Sequence, residues 1–159
     1  MNTIILPHSE AVKFNPGEGY NVMIRVIETD SDFLKLRHKK KFKDILELKF
    51  DDVSEKCYYT AVGEFGEEKE KTEYPISKSQ ARKVVHFFQK NESCDNMIIH
   101  CYAGWCRSPA IAYCWYMFKG EKDKANALYH SHNPNQTVVT TIMKEMEDDV
   151  ELLRRLQTL

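Results

Sequence analysis

The chain has 159 residues, enough for one domain of ordinary size with its own hydrophobic core. Apolar residues make up 42% of it and charged residues 30%, which is typical of a globular protein rather than a disordered one. The net charge of −1 provides no positive field for nucleic acid or for a membrane surface. No apolar run approaches the roughly 20 residues that span a bilayer, and the first run stops at Pro7, so we expect neither a membrane partner nor a signal peptide.

The five cysteines point to a reducing compartment. Their number is odd, their spacing is irregular, and a chain of this length folds without disulfide bonds, so we expect a cytoplasmic protein with free thiols. A zinc site built from His100, Cys101 and Cys106 would have a spacing that matches no common structural zinc motif. The sequence therefore predicts no metal and no cofactor.

The hydrophobic pattern predicts alternating strands and helices. Strands are expected at 3–6, 21–27, 45–50 and 97–100, and helices at 77–90, 108–118, 122–129 and 138–156. Residues 8–20, which contain Pro16, Gly17 and Gly19, are expected to form a loop. The fold class is accordingly α/β: a single domain, 1–159, with a central, largely parallel sheet of four to five strands flanked by helices.

Two segments have an open interpretation. Residues 33–43 are strongly basic and are either a solvent-facing helix or loop, which we favour, or a patch for phosphorylated substrates, RNA or acidic lipid. Residues 53–76 form a long polar connection, with a short hairpin around 57–62. A connection of this length is either a functional loop or a surface insertion. The capping-box pattern Ser77-x-x-Gln80 directly follows it and marks the start of a helix.

The central feature of the sequence is the stretch 97–112, which reads MIIHCYAGWCRSPAIA. A buried strand, a tight turn and an apolar helix follow one another, which directs backbone N–H groups and a helix N-terminus at one point and favours an anion there. Cys101 begins the turn, and the amides, the helix dipole and Arg107 all favour its thiolate form. Arg107 offers a planar fork for two phosphoryl oxygens, Gly104 lets the backbone turn inward, and Ser108 is placed to donate to the thiolate. A thiolate in such a loop predicts attack on phosphorus.

The motif HCYAGWCRS resembles the signature of the cysteine-dependent protein tyrosine phosphatase superfamily, a His-Cys pair followed by five residues and Arg-Ser or Arg-Thr. The matching positions are His100, Cys101, Gly104, Arg107 and Ser108. The short chain, the run from Arg107 to Met117 and the Pro134-Asn135 pair resemble the small dual-specificity subgroup. The resemblance covers about residues 45–150 and implies a phosphatase loop between a central strand and a buried helix.

This resemblance implies a role for each matching residue. Cys101 would be the nucleophile that forms a phosphocysteine intermediate, Ser108 would assist the breakdown of that intermediate, and His100 would set the loop conformation and the acidity of the thiol. The phosphoryl group would be bound by Arg107 and by the backbone amides of the loop, which belong to Tyr102, Ala103, Gly104, Trp105, Cys106 and Arg107.

The family also requires an aspartic acid on a separate loop, which protonates the leaving oxygen and then activates water. The segment ILELKFDD offers Asp51 and Asp52, and we favour Asp52. The other aspartate would then form a turn or cap a helix.

Cys106 departs from the family pattern, in which many members have Ser or another small residue at this position. It is either a serine-like loop residue, which we favour, or a thiol that forms a reversible disulfide with oxidised Cys101, a role that Cys57 could also take. The bulky residues Tyr102 and Trp105 either frame the entrance to the loop or pack beneath it.

We therefore expect a protein phosphatase that hydrolyses phosphotyrosine, or phosphotyrosine together with phosphoserine and phosphothreonine, in a phosphorylated protein substrate. A lipid phosphatase is disfavoured because the loop lacks lysines. The basic run keeps RNA 5′-triphosphatase activity as an alternative, and apart from it we expect no nucleic-acid partner. A non-catalytic phosphoprotein-binding module is disfavoured because binding needs no nucleophile. We expect a monomer.

Overall fold

The computed structural model describes residues 2–157, with side chains described for residues 2–150. The strands are β1 (Asn2–Pro7), β2 (Asn21–Ile27), β3 (Asp44–Lys49), β4 (Cys57–Val62), β5 (Glu68–Glu73) and β6 (Asn96–Cys101). The helices are α1 (His8–Lys13), α2 (Lys78–Lys90), α3 (Arg107–Phe118), α4 (Lys122–Ser131) and α5 (Gln136–Gln157). Four strands form one parallel sheet in the order β1–β6–β2–β3, and β4 and β5 form a separate antiparallel hairpin. The predicted α/β class with a parallel central sheet is confirmed.

The two inner strands of the sheet are buried on both faces, which explains their nearly continuous apolar sequences. Alternate residues of β2 point to opposite faces, so Val22, Ile24 and Val26 join the larger core, whereas Met23 joins the smaller one. The larger core is filled by large, fully buried side chains from the helices, including Phe88, Ile111, Trp115 and Ile142. Burying each of them contributes roughly 1.5–3 kcal/mol to folding.

Helix α2 begins as its sequence predicts. The side chain of Ser77 accepts a hydrogen bond from the backbone N–H of Gln80 at 3.1 Å, and the backbone N–H of Ser77 donates to the side chain of Gln80 at 2.9 Å. This reciprocal capping box satisfies two donors that would otherwise lack partners at the helix start. Ala81, Val84 and Phe88 then bury one face of the helix in the larger core, where Phe88 packs against Trp115 of α3.

The prediction of a loop over residues 8–20 is wrong for its first part, because His8–Lys13 form helix α1. A helix of six residues is marginal by itself, and no side chain caps it. Its stability comes from tertiary contacts. Ala11 is fully buried in the smaller core, and the backbone N–H of His8 donates to the carbonyl of Tyr102 at 3.0 Å.

The basic segment 33–43 has no helix apart from one 3₁₀ turn at Lys39–Lys41. Leu36 and Phe42 anchor it in the smaller core, and its charged side chains face outward. The N–H of Lys43 donates to the carbonyl of Asn21 at 2.8 Å, at the first residue of β2. The end of the segment therefore lies at the amino ends of the strands, whereas Cys101 lies at the carboxyl end of β6.

The connection between β3 and α2 contains a hairpin that is larger than the one predicted around 57–62. Strands β4 and β5 pair from Cys57 opposite Glu73 to Val62 opposite Glu68. None of the residues in the two strands is buried. The second strand, EKEKTE, has residues of low β-propensity and no apolar alternation, so the sequence pattern does not reveal it.

Within the described residues, no helix is sufficiently long and apolar to cross a membrane.

Candidate active site

The loop between β6 and α3 holds the thiol of Cys101. Cys101 is the last residue of β6 and is 2% exposed. Its Sγ accepts a hydrogen bond from the backbone N–H of Gly104 at 3.2 Å and lies 3.2 Å from the Oγ of Ser108. Helix α3 begins at Arg107, so its positive N-terminal dipole is directed at the same loop. The structure thus brings together four of the residues that the sequence analysis singled out.

The surroundings of Cys101 favour the thiolate. Burial raises the pKa of this thiol, but hydrogen bonds from Ser108 and Gly104 and the positive charge of Arg107 outweigh it, so the pKa is lowered overall. Cys114 shows what burial does without such partners, because desolvation alone raises its pKa far above the ordinary value. The lowered pKa of Cys101 is therefore a property of the loop and not of buried cysteines in this protein.

The guanidinium of Arg107 is held by two segments outside the loop. Its Nη1 donates to the carbonyl of Phe50 at 2.9 Å, and its Nη2 donates to Oε1 of Glu28 at 2.6 Å. The residue is only 5% exposed. Phe50 follows β3 and Glu28 follows β2, so both partners come from the edge of the sheet at which Cys101 lies. These contacts orient the guanidinium before an anion binds.

The two candidate acids lie in different surroundings. Asp51 is 5% exposed, and its carboxylate accepts hydrogen bonds from the N–H and hydroxyl of Thr29, at 3.1 and 2.8 Å, and from the N–H of Tyr74 at 2.8 Å. Asp51 thereby ties the chain after β2 to the chain after the hairpin. Asp52 is exposed, and its Oδ1 accepts from Nδ2 of Asn135 at 2.7 Å.

Asp52 also lies beside the loop. Burial and then the negative charge of the neighbouring Asp52 carboxylate raise the pKa of Cys106 to about 11. The thiol of Cys106 is therefore protonated at neutral pH. Of the two aspartates, Asp52 is the one that lies beside the loop that carries the nucleophile.

Asn135 connects Asp52, the loop and helix α5. Its backbone N–H donates to the carbonyl of Cys106 at 3.0 Å, and its side-chain oxygen accepts from the N–H of Val138 at 3.1 Å, in the first turn of α5. The side-chain Nδ2 of Asn135 donates to Asp52. Through its backbone and its side chain together, Asn135 thus fixes the distance between the acid and the loop.

The backbone of the loop is seated on the junction between β1 and α1. Gly104 has a φ of 73°, and a Cβ at this position would lie 3.1–3.2 Å from backbone atoms of Leu6 and Pro7. Tyr102 and Trp105 are 67% and 53% exposed, so neither packs beneath the loop. The ring of Trp105 lies 5.3 Å from that of His132. Both aromatic residues therefore border the entrance to the loop, which is the first of the two interpretations offered from the sequence.

His100 lies on the side of the loop that faces the protein interior and is fully buried. Its Nδ1 is 3.4 Å from the carbonyl oxygen of Cys101, and its Nε2 accepts a hydrogen bond from Nε of Arg25 at 3.1 Å. Burial and then the charge of Arg25 lower the pKa of His100 to about 3. The ring is consequently neutral at physiological pH.

All five cysteines are free thiols. The Sγ of Cys57 donates to the carbonyl of Glu55 at 3.2 Å, at the start of the hairpin. The raised pKa of Cys106 does not favour it as an attacking thiol, since thiolates are the reactive species. Among residues with described side chains, no group of three or more His, Cys, Asp or Glu is placed to hold a metal ion.

Three residues that support the site had no role predicted from the sequence: Arg25, Glu28 and Asn135, of which Asn135 was noted only in the pair Pro134-Asn135. They lie 75, 79 and 83 positions along the chain from His100, Arg107 and Asp52, their respective partners. A signal was present for Glu28, because it directly follows a buried strand of a parallel sheet. Arg25 was visible as a charged residue inside the otherwise uncharged strand NVMIRVI.

No family model and no curated protein matches this chain. Its fold is similar to solved structures of small phosphatases and related proteins. Human DUSP28 has a TM-score of 0.59 at 10% identity over 94% of each chain. The human tyrosine phosphatase-like serine/threonine/tyrosine-interacting protein has a TM-score of 0.53 at 16% identity over 93% of each chain. PTPMT1, solved in complex with PI(5)P, has a TM-score of 0.51 at 14% identity over 85% of this chain and 81% of its own.

These similarities confirm the expected dual-specificity-phosphatase-like fold. At such identities they establish the fold alone, because one fold carries many functions. The activity has to be argued from the residues of the site.

Proposed function

We propose that the protein is a cysteine-dependent phosphatase that hydrolyses phosphotyrosine, with or without phosphoserine and phosphothreonine, in a phosphorylated protein substrate. The observation that carries this proposal is the thiol of Cys101, whose pKa is lowered within a loop that ends in the buried guanidinium of Arg107. A site for anion binding alone needs the guanidinium and the amides. An activated thiol in their centre adds the group that attacks phosphorus.

In the first step, the Sγ thiolate of Cys101 forms a bond to phosphorus as the ester P–O bond breaks. Arg107 and the loop amides of residues 102–107 bind the phosphoryl oxygens, and the protonated carboxyl group of Asp52 gives its proton to the leaving oxygen. The products of this step are the dephosphorylated alcohol or phenol and a phosphocysteine.

In the second step, water attacks the phosphocysteine. The carboxylate of Asp52 takes a proton from this water, the P–S bond breaks, and inorganic phosphate forms. The sulfur leaves with the bonding electrons as a thiolate, which the hydroxyl of Ser108, 3.2 Å away, stabilises by donating to it. His100 keeps the loop in the conformation that both steps use.

The proposal extends to the setting of the protein. Its free thiols support a reducing, cytoplasmic location, and we propose that it acts as a monomer without a metal or cofactor. The basic segment that raised RNA 5′-triphosphatase activity as an alternative ends with Lys43 at the amino ends of the strands, whereas Lys35 and Lys39 lie beside Arg25. A comparison of substrates therefore tests that alternative.

The decisive experiment compares the wild type with Cys101→Ser in the hydrolysis of p-nitrophenyl phosphate and a phosphotyrosine peptide. We expect the variant to lose activity by at least about 1,000-fold, since a serine hydroxyl is not ionised at neutral pH. Cys114→Ser is the matched control and should keep its activity, because a hydroxyl can replace the thiol that donates to the carbonyl of Val139.

Full activity of Cys101→Ser would contradict the mechanism. A phosphoserine peptide, PI(5)P and triphosphate-ended RNA complete the substrate panel. Phosphate release from the RNA without aryl phosphatase activity would select the triphosphatase alternative, and phosphopeptide binding without turnover by the wild type would select the binding module.

A further inference from the structure

Arg25 is a buried arginine in the middle of strand β2 that no step of the proposed reaction uses. It is 3% exposed, and each of its three nitrogen atoms has a partner. Besides its bond to His100, Nη1 donates to Oε2 of Glu47 at 3.0 Å and Nη2 donates to the carbonyl of Leu34 at 2.7 Å. The ring of Phe33 lies 5.0 Å from the guanidinium carbon. The side chain of Glu47 is 46% exposed, and such an ion pair adds little to stability compared with an apolar residue in place of the arginine, so stability alone does not account for Arg25.

The contact between Arg25 and His100 determines where the imidazole carries its proton. A guanidinium has only donors, so the Nε2 that receives its hydrogen bond at 3.1 Å must be unprotonated. A neutral ring then carries its hydrogen on Nδ1, which faces the carbonyl of Cys101 at 3.4 Å. The imidazole of His8 is stacked on that of His100, with the ring centres 5.1 Å apart and the planes 8° from parallel, and this restricts the tilt of the ring.

We propose that Arg25 is a positioning residue for the nucleophile: through His100 it fixes the tautomer whose Nδ1–H faces the backbone of Cys101, and it supplies a permanent positive charge on the interior side of the loop. The inference rests on the proposed function, in which the thiolate of Cys101 attacks phosphorus. Arg25, which lies outside the signature motif, thereby helps to keep Cys101 in its thiolate form.

Several charged or titratable groups surround Cys101 and the pair of His100 and Arg25 behind it. Arg107 of α3 acts directly on the thiol of Cys101, and Glu28 after β2 is paired with Arg107. Cys106 of the loop lies near Cys101, with Asp52 after β3 beside it. His8 of α1, Arg25 of β2 and Arg107 act on His100 of β6, and Glu47 of β3 is paired with Arg25. Arg25 and Arg107 are the two arginines among them. Arg107 is also assigned to the phosphoryl group, so Arg25 is the residue whose replacement separates the charge behind the loop from substrate binding.

The first test follows alkylation of Cys101 by iodoacetamide between pH 5 and 9, measured by mass spectrometry of the peptide that contains it. Because the thiolate is the species alkylated, the rate reports its population. We expect Arg25→Met to react at least about threefold more slowly than the wild type at pH 6 and at the same rate on the alkaline plateau. Arg25→Lys, which keeps a positive donor, should remain within about twofold of the wild type at pH 6.

Lys35→Met is the matched control. Lys35 is an exposed cation close to Arg25, so its replacement by Met removes the same charge, but Lys35 has no hydrogen bond to His100. Its alkylation profile should equal that of the wild type. Adding Arg25→Met to His100→Ala should change the profile less than adding it to the wild type. An unchanged profile in a cooperatively folded Arg25→Met protein would overturn the proposal.

The second test needs no variant of Arg25. Long-range ¹H–¹⁵N correlation spectra of the wild type report which imidazole nitrogen carries the proton, and the missing signals of His100→Gln identify His100. We expect a protonated Nδ1 and an unprotonated Nε2 from pH 8 to pH 5. A protonated Nε2 would overturn the inference even if Arg25→Met failed to fold. Neither test requires turnover. If the wild type proved inactive, the proposed function would be contradicted, but the alkylation profile and the protonation of His100 could still be measured.

Discussion

Two thiols of the same loop have opposite acidities because of what surrounds them. Hydrogen bonds and a guanidinium lower the pKa of Cys101 despite its burial, whereas burial and a carboxylate raise that of Cys106 to about 11. Residue type is the same in both cases, so the difference lies in the placement of Ser108, Arg107 and Asp52. Chemical reactivity within this loop should therefore be confined to Cys101.

Replacing Ser108 by alanine should shift the acid limb of the pH profile. Its hydroxyl helps to lower the pKa of Cys101, so its loss raises that pKa and moves the acid limb of kcat/KM to higher pH. At pH 6 we expect kcat/KM to fall by about 10-fold, with a smaller loss at pH 8. Steady-state kinetics from pH 5 to 8 measure this effect. Ser131→Ala on α4 serves as the control, and an acid limb at the wild-type position would contradict the role of Ser108.

The two adjacent aspartates should separate activity from stability. Asp52→Asn should lower kcat for a phosphotyrosine peptide by about 100-fold. The loss should be smaller for p-nitrophenyl phosphate, because nitrophenolate leaves more easily without protonation by an acid. Asp51→Asn weakens hydrogen bonds to a buried carboxylate and should destabilise the protein by about 1.5–3 kcal/mol. Kinetics and urea unfolding of both variants provide the comparison. The reverse outcome, with Asp51 controlling kcat, would exchange the two roles.

The residues of the site that lie close together in sequence were predicted, and those that meet only in the fold were not. Cys101, Gly104 and Ser108 share one strand–loop–helix segment, so spacing alone places them around one point. Glu28 and Asn135 reach the site from other elements, and no local pattern encodes which partner a charged or amide side chain will meet. Asp52 is a candidate acid only because the resemblance requires one, and its role stays a prediction.

At the scale of elements, the apolar pattern of the sequence predicted those that are buried. Helix α2 buries one face, whereas strand β2 is buried on both faces and helix α3 is apolar on nearly all sides. The observed bounds of all three differ little from those expected. Helix α1 and strand β5 have no such pattern. The first is stabilised by its contact with the loop of the site and the second by pairing with β4, and both interactions are tertiary in origin.

The hairpin of β4 and β5 should be removable. Since none of its strand residues is buried, replacing 59–71 by Asn-Gly, which favours a two-residue turn between Tyr58 and Thr72, should change the Tm by less than about 3 °C. The design keeps Tyr74, whose N–H binds Asp51. Hydrolysis of p-nitrophenyl phosphate should stay within about threefold of the wild type. Loss of cooperative thermal unfolding would show that the hairpin stabilises the domain.

For the whole molecule, the buried neutral histidine makes stability depend on pH. The pKa of His100 is about 3 in the folded protein against an ordinary value of 6.5, so below pH 6.5 the unfolded chain takes up a proton that the folded protein does not. Stability therefore falls as the pH falls from 6.5 toward 3. Between pH 7 and pH 5 the loss from this residue is about 2 kcal/mol.

Urea unfolding at pH 7 and pH 5 tests this dependence, with His100→Gln as the comparison. The variant should lose about 2 kcal/mol less than the wild type over the same interval, because a glutamine side chain does not titrate. An equal pH dependence in both proteins would mean that His100 is protonated in the folded state.

The seating of Gly104 against Leu6 and Pro7 restricts how this protein can change over time. A Cβ at position 104 would lie 3.1–3.2 Å from backbone atoms of Leu6 and Pro7, which no substitution at positions 6 or 7 can remove. The φ of 73° also disfavours every residue that has a Cβ. Another residue would therefore need both a small displacement of the first strand and a different conformation of the loop. Among descendants that retain this architecture, position 104 should therefore remain glycine, while the neighbouring exposed positions 102 and 105 are free to diversify and adapt the entrance to new substrates.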